Sequence, residues 1–372
     1  MGDWLTHPLA LRGLYAGALL RAFLRHKNPR RRQAKDALTR FHEQMWRDAA
    51  LELGATFKVL ERSVWEIELD GARTRVFERL AEIDNPVTLE IAGNKPLTYQ
   101  LLRDAGLPIP KFAAFSYKSP RAALEFLQEA RGECVVKPAS GTGGGRGVTT
   151  GIRTRWQLVN AAAAASVYGD DLLIEAHMEG DNYRLLYLDG ELIDAFIRRP
   201  PTLIADGRTT LAEQIRAINV RRLAQGAELS QVQLTIDMDL HRTLARQGHT
   251  LRSIPPEGTM VKIKTVINEN AAADNEAAMH LLCKEIVEAG RAAAGALRVR
   301  LAGVDVISRD PSRPLSETGG AILEVNTTPN YYYHYRKQGG CCPVALHVLR
   351  RLLAEQSTTS VDARSIAPAG VV

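Results

Sequence analysis

Apolar runs long enough to cross a bilayer are missing from the start of this 372-residue chain. The longest uncharged stretch there, Gly13 to Leu20, falls well short of the ~20 residues that a spanning helix needs. No secretory signal is visible either. Cysteine is scarce, with four in all: Cys134, Cys283, Cys341 and Cys342. Cys134 lies in an apolar strand-like run, and the adjacent pair Cys341–Cys342 lacks metal-ligand spacing, so a disulfide framework is excluded and a reducing cytoplasm is expected. No internal repeat is present. Positive charge spread over the whole surface is also lacking. The formal net charge is +6, yet residues 1–40 hold nine Lys/Arg against only Asp3 and Asp36. That local +7 leaves the other 332 residues at about −1, which argues against a nucleic-acid partner.

The basic start has a pattern of its own. Leu11, Leu14, Tyr15, Ala18, Leu19, Ala22 and Phe23 recur at helical spacing, followed by the basic run Lys27–Lys35. Such a helix either packs on its own domain or a dimer mate, or makes a weak membrane-surface contact through residues 9–35.

Further on, a helix is predicted from Phe41 to Leu53, then strands at Phe57–Leu60 and Trp65–Leu69 with a turn at Asp70-Gly71. A helix runs through Leu102, and another spans Ser119–Ala130 with Ser119 as N-cap and Pro120 at N1. Glu133–Pro138 and Val148–Ile152 read as strands on either side of a glycine loop. Trp156–Tyr168 reads as a helix and Leu172–Glu175 as a strand. A strand-rich part follows: Tyr183–Leu188, a turn at Asp189-Gly190, then Leu192–Ile197. Helices are predicted over Thr210–Ala224, Asp274–Leu297 and Val344–Glu355, with apolar strands at Leu301–Ser308 and Ala321–Asn326. Residues 357–372, rich in Ser, Thr, Ala and Pro, read as a disordered tail.

The loop Ser140-Gly141-Thr142-Gly143-Gly144-Gly145-Arg146-Gly147 carries the first chemical signal. Its glycines let main-chain N–H groups turn inward around phosphate oxygens. It is not a P-loop, since Gly-Lys-Ser/Thr is absent, and Arg146 breaks the Gly-x-Gly-x-x-Gly register. Lying between two strands rather than opening a helix, it predicts a hairpin tip that folds over a nucleotide. Lys137, just before it, interrupts an apolar strand, where burial is costly unless an anion is met. Lys95 is a second phosphate candidate.

Asp305 likewise interrupts an apolar strand, and Glu324 and Asn326 share one face of another. If these strands pair, three hard oxygen ligands suited to Mg²⁺ come together. Glu175 and the segment through Met178 are candidates for the adenine, with Asp181 or Glu179 for the ribose. Arg184 and Arg198, on the strands that follow, could hold a phosphate or a substrate carboxylate.

The order of these pieces resembles the ATP-grasp superfamily, and within it the ligase domain of cyanophycin synthetases and their glutathione-synthetase-like relatives. The resemblance covers roughly residues 90–335. It is carried by Gly93-Asn94-Lys95-Pro96-Leu97-Thr98, Val135-Val136-Lys137-Pro138 and Asp181-Asn182-Tyr183-Arg184. It continues in Arg198, Asp206-Gly207-Arg208-Thr209-Thr210, Asn219, Gly303-Val304-Asp305-Val306 and Glu324-Val325-Asn326. It implies an α/β (α+β) fold of three lobes with ATP between two antiparallel sheets. The lobes expected are an N-terminal arm and small lobe over 1–90, a central subdomain with the glycine loop over 91–180, and a C-terminal subdomain over 181–356.

The resemblance also implies an ATP-dependent carboxylate–amine ligase acting through an acyl phosphate on small-molecule or peptide substrates. Two Mg²⁺ ions and a homodimer go with it. The nucleotide would lie against Lys95, Lys137, Gly143, Gly144, Gly145, Arg146, Gly147, Glu175, Met178 and Asp181. Metal would lie at Asp305, Glu324 and Asn326, and the catalytic cations would be Lys137, Arg184 and Arg198. The chain is expected to hold one ligase domain where cyanophycin synthetases carry a second. It also has Asn268-Glu269-Asn270-Ala271-Ala272-Ala273 in place of their Ser-Thr-Gly-Gly, and Pro329-Asn330 before Tyr331–Tyr335 in place of Pro-Gly. The tyrosine cluster is expected to shape a substrate pocket or to pack on the glycine loop, and His334 to contact substrate or serve structure. An ATP-grasp kinase and a non-catalytic nucleotide-binding scaffold at membranes are the alternative readings.

Overall fold

The computed structural model describes residues 29–365 apart from 143–144, 225–232, 266 and 268–269. The amphipathic helix expected over residues 11–23 therefore lies outside the described residues.

The first lobe is helix α1 (Pro29–Glu52) against an antiparallel meander of β1 (Thr56–Glu61), β2 (Val64–Leu69), β3 (Ala72–Phe77) and β4 (Leu80–Ala81). The period-2 pattern sorts β3: Ala72, Thr74 and Val76 are buried, while Arg73 and Arg75 are exposed. Asp70 and Gly71 join β2 to β3 with φ of 51° and 84°, the doubly positive pair of a two-residue hairpin turn.

Two short helices lead out of this lobe, α2 (Pro86–Gly93) and α3 (Lys95–Asp104). Asn85 and Asn94 cap them, each side chain accepting from a backbone N–H three residues on. The central lobe follows in the order β5 (Phe112–Ser116), α4 (Arg121–Glu129), β6 (Cys134–Pro138), β7 (Thr149–Ile152), α5 (Arg155–Ala165) and β8 (Asp171–Ala176). Its sheet has the order β5-β8-β6-β7, antiparallel throughout. The glycine loop thus joins two paired neighbours, as expected of a hairpin tip. Ser119 is not the N-cap of α4. Its N–H closes a turn to Ser116 O at 2.9 Å, and Pro120 holds the cap position with no side-chain bond.

The third lobe is built on β9 (Asp181–Leu188), β10 (Glu191–Arg198), β13 (Asn275–Ala277), β14 (Leu301–Ser308) and β15 (Ala321–Asn326), in the order β13-β10-β9-β14-β15. Between β10 and β13 the chain inserts a small unit: β11 (Thr202–Ile204), α6 (Leu211–Ala224), α7 (Met238–Arg246) and β12 (Met260–Lys262). Leu203, Leu211, Ile215, Leu240, Leu244 and Val261 give this insert a core of its own.

The helix expected over 274–297 begins only at Lys284, as α8 (Lys284–Ala296). Asn275–Ala277 pair instead with the outer edge of β10, where Asn275 is fully buried and accepts from Asn270 Nδ2 at 2.5 Å. Covering that open edge satisfies strand groups that a helix would leave bare. The chain closes with α9 (Leu315–Thr318), α10 (Tyr331–Arg336) and α11 (Val344–Ser365). α11 runs through part of the stretch predicted as a disordered tail, with no proline before Pro368 to stop it. Val348, Leu349 and Leu352 of α11 pack with Trp46, Trp65 and Val76, so the last helix belongs to the core of the first lobe.

That core buries His42 completely, and among the described residues neither ring nitrogen has a hydrogen-bond partner. Burial, reinforced by the charge of Arg79, lowers its pKa to about 4. The folded state therefore holds a neutral imidazole that the unfolded chain protonates below about pH 6.5. This contribution is full above that pH and is lost as pH falls toward about 4, by roughly 3 kcal/mol in all. His42→Leu should flatten that part of the pH dependence, measured as urea midpoints at pH 7 and pH 4.5 on both proteins.

Candidate active site

Two lysines and a carboxylate meet where the central sheet faces the third lobe. On β6, Val135 is paired with Glu175 of β8 and Lys137 with Leu173, so Lys137 and Glu175 are diagonal neighbours on one face. Lys137 Nζ lies 2.8 Å from Glu175 Oε2, with both side chains more than nine-tenths buried. A lysine inside an apolar strand needs such an anion, and the chain supplies its own. Glu175, expected at the adenine, is thus engaged by Lys137.

Tyr99 completes this group. Its hydroxyl is 2.8 Å from Glu175 Oε2, 3.1 Å from Lys137 Nζ and 3.0 Å from the carbonyl of Leu323 on β15. One phenol therefore ties the two sheets together. Sequence reasoning missed it; the only available signal is its position one turn after Lys95 on α3. Burial first, then the charge of Glu175, raise the Tyr99 pKa, so the hydroxyl stays a donor.

Lys95 opens α3, its N–H bonded to Ala139 O at 3.0 Å just after β6. Its Nζ lies 3.9 Å from Glu324 Oε1 across the cleft. Burial lowers the Lys95 pKa, Glu324 and Glu175 oppose this, and the nearby charge of Lys137 lowers it further. Lys95, Lys137, Glu175 and Glu324 thus form one electrostatic group, gathered from α3 and three strands.

The third-lobe sheet presents the rest. Register sets Arg184 opposite Asp305, Asp305 opposite Glu324, and Gly303 opposite Asn326, so all share a face. The reverse face, with Tyr183, Leu185, Val304, Val306 and Ile322, is core. Asp305 is buried between two guanidinium groups: Arg184 bonds it through Nε and, at 3.0 Å, through Nη2, and Arg198 Nη2 lies at 2.6 Å. Arg198 also donates to Asn182 Oδ1, at 2.9 Å from Nε. Gly303 makes room for this, because a Cβ there would stand 3.1 Å from Arg184 Nη1. Burial alone would push the Asp305 carboxyl up; the two arginines outweigh it and hold the pKa below the usual carboxylate range.

The predicted oxygen set is brought together on one face, but with unequal access. Both oxygens of Asp305 are taken by arginines, and Asn326 Nδ2 donates to Gly303 O at 3.2 Å, leaving its amide oxygen for other partners. Glu324 is about a third exposed and has Lys95 as its near cation. Among the described residues no three His, Cys, Asp or Glu side chains gather to hold a metal; this set has two carboxylates and an amide. Those donors are the hard oxygens that suit Mg²⁺, with Glu324 the first within reach.

Of the other sequence candidates, Gly143 and Gly144 lie outside the described residues. Gly145 and Gly147 take φ of 67° and 76°, and a Cβ on Gly147 would come within 2.8 Å of Pro138 Cγ. Glycine is therefore required where the loop returns past Pro138. Arg146 is exposed. Met178 is half-buried on the link from β8 to β9. Glu179 pairs with Arg309 at 2.6 Å, and Asp181 lies 3.9 Å from Arg199.

The tyrosine cluster divides. Tyr331 and Tyr332 pack into the first-lobe core against Trp46 and Phe41, and Tyr335 packs edge-on to Phe41. Among the described residues they make no contact with the glycine loop, because α10 is held against α1. Tyr333 packs at the edge of the same core and against Phe196, and there the charges of Arg198, Arg184 and Arg222 temper the pKa rise that burial causes. His334 is fully buried, its Nδ1 2.7 Å from Asp194, which also takes Lys337 at 2.9 Å. That is a structural histidine.

No family model matches the chain. It is 30% identical over 258 residues to the cyanophycin synthetase of Trichormus variabilis, covering 68% of this chain and 28% of that protein. The glutathione biosynthesis bifunctional protein GshAB of Streptococcus thermophilus is 26% identical over 316 residues, covering 82% of this chain and 42% of its own. The chain thus spans less than half the length of these relatives. Among solved structures, the bifunctional glutathione synthetase of Pasteurella multocida superposes with a TM-score of 0.54 at 19% identity, over 84% of this chain and 43% of that one. With two antiparallel sheets facing each other across the lysine–carboxylate cleft and this likeness in sequence and fold, the chain is a member of the ATP-grasp superfamily.

Proposed function

We propose that the chain is an ATP-dependent carboxylate–amine ligase that works through an acyl phosphate. The observation that carries this reading is the cleft itself, in which Lys95 and Lys137 stand on one side and Glu324 with the Arg184–Asp305–Arg198 cluster on the other. Relatives named cyanophycin synthetase and GshAB support it.

Phosphoryl transfer asks a protein for positioning and charge neutralisation more than for a covalent residue. Lys95 and Lys137 hold the triphosphate from the side of the central sheet, and the glycine loop covers it and keeps water from a hydrolysable intermediate. Mg²⁺ would be held by Glu324 with the amide oxygen of Asn326, while Asp305, both oxygens engaged by arginines, would stand beside it and orient Arg184 and Arg198; the ion would supply further screening of phosphate charge. Arg198, oriented by Asn182 and Asp305, faces the carboxylate and the transferred phosphoryl group. A substrate carboxylate oxygen attacks the γ-phosphorus and ADP leaves. An amine then attacks the acyl carbon, phosphate departs, and the amine gives up a proton. The acid and amine are small molecules or peptides.

The test is a hydroxylamine trap with Mg-ATP and a panel of amino acids and short peptides. A ligase forms a hydroxamate with its own carboxylate substrate, in step with ADP release. ADP release with a phosphorylated product and no hydroxamate would make the chain a kinase and end this reading.

A further inference from the structure

The insert between β10 and β13 touches the site at two separate places. Its helix α7 lies against β7, the strand that leaves the glycine loop. Thr150, three residues beyond Gly147, has its hydroxyl 2.7 Å from Thr265 Oγ1 and 3.3 Å from Asp239 Oδ1. Asp239, almost fully buried, also accepts from the Thr265 N–H at 2.9 Å. Arg246 reaches the same hydroxyl at 3.4 Å and Glu133 Oε2 at 3.7 Å, and Arg242 reaches the Thr150 carbonyl at 3.5 Å.

Gly151 is shaped for this contact. Its φ is +72°, and a Cβ there would sit 1.5 Å from Arg246 Nη2, so the guanidinium occupies the space a side chain would fill. That is a seat on the flap strand cut to a cation from the insert. The second contact is at the other end of the cleft. Arg222, on α6 of the same insert, lies 4.0 Å from Asp274, the residue before Asn275, which is paired with Arg198 on β10; its charge also acts on Tyr333, together with those of Arg184 and Arg198. The insert has its own hydrophobic core, so these two contacts belong to one packed unit.

We propose that the insert couples the two ends of the cleft: Thr150, Asp239 and Arg246 are positioning residues that join it to the glycine-loop hairpin, so nucleotide capture on the hairpin orders the insert. The inference rests on the nucleotide reading of the cleft but not on ligase chemistry. Because coupling is reciprocal, whatever occupies the Tyr333–Arg222 end then alters nucleotide affinity by the same factor.

Hydrogen exchange on the whole chain with AMP-PNP and Mg²⁺ is the test. In the wild type, the nucleotide analogue should slow exchange in the hairpin (residues 145–152) and in the insert (residues 234–246). In Thr150→Val/Arg246→Ala the hairpin should still be slowed, while the slowing in the insert drops by roughly fivefold or more. Thr150→Val alone, nearly isosteric, should give a partial loss and serves if the double variant does not fold. Insert slowing unchanged in the variants, or absent in the wild type while the hairpin responds, overturns the coupling. No response in either region removes the nucleotide reading, and the coupling with it.

Discussion

Lys137→Ala should lower substrate-dependent ADP release by about a thousandfold, the scale of losing one preorganised charge from a phosphoryl-transfer site. Two effects combine. The phosphates lose a buried cation, and Glu175 is left as a buried carboxylate held by Tyr99 but without its cation, 2.8 Å from where the ammonium stood. The second effect should repel ATP as well as weaken the fold, so the ATP KM should rise along with the fall in kcat. Lys137→Ala/Glu175→Gln separates the two: it restores much of the stability and ATP binding but not kcat. Steady-state kinetics with thermal melts on both variants makes the comparison. A Lys137→Ala enzyme with unchanged kcat would remove this lysine from the site.

Asp305→Ala should cost on the order of 3–5 kcal/mol of stability, because it leaves Arg184 and Arg198 buried side by side without their shared anion. Arg198 would also lose part of the frame that aims it, so activity should vanish even under conditions where the variant stays folded. The carboxylate's pKa lies below the usual range, so its contribution is present above about pH 4 and fades as pH drops further. Asp305→Asn should behave differently, since the amide oxygen can still accept from one guanidinium. It should fold better than Asp305→Ala and remain inactive. Urea denaturation of the two variants beside ADP-release assays tests this, and an active Asp305→Ala would contradict the role given to the cluster.

The features that could be read directly were those where charge breaks an apolar pattern. Lys137 and Asp305 stand out in strands that are otherwise hydrophobic, and both are at the cleft. Strand pairing followed from the same patterns: Glu324 and Asn326, two apart, share a face and meet β14 in the register needed to set Glu324 beside Asp305.

What escaped reading depends on tertiary partners. Asn275–Ala277 lie in an alanine-rich stretch that favours helix locally, and only the uncovered edge of β10 turns them into a strand. Tyr99 looks like an ordinary core residue of an amphipathic helix until Lys137 and Glu175 arrive from the neighbouring sheet. The five-residue aromatic run from Tyr331 to Tyr335 suggests a pocket, yet helix packing sends Tyr331, Tyr332 and Tyr335 to the Phe41–Trp46 core, with Tyr333 at its edge within reach of the arginines' charges. The sequence offers the arginine pair to a phosphate or a substrate carboxylate. Its engagement with Asp305 could not be foreseen, because Arg184 on β9 and Asp305 on β14 are brought together from 121 residues apart. The insert's strands, β11 and β12, are three residues each, too short for alternation to register.

A crystal structure with AMP-PNP and Mg²⁺ bears most directly on the central claim. It should find the triphosphate between Lys95 and Lys137 on one side and Glu324 on the other, under the glycine loop, with the γ-phosphate toward Arg198. Nucleotide bound anywhere else on the molecule, or phosphates turned away from Lys137 and Glu324, would contradict it.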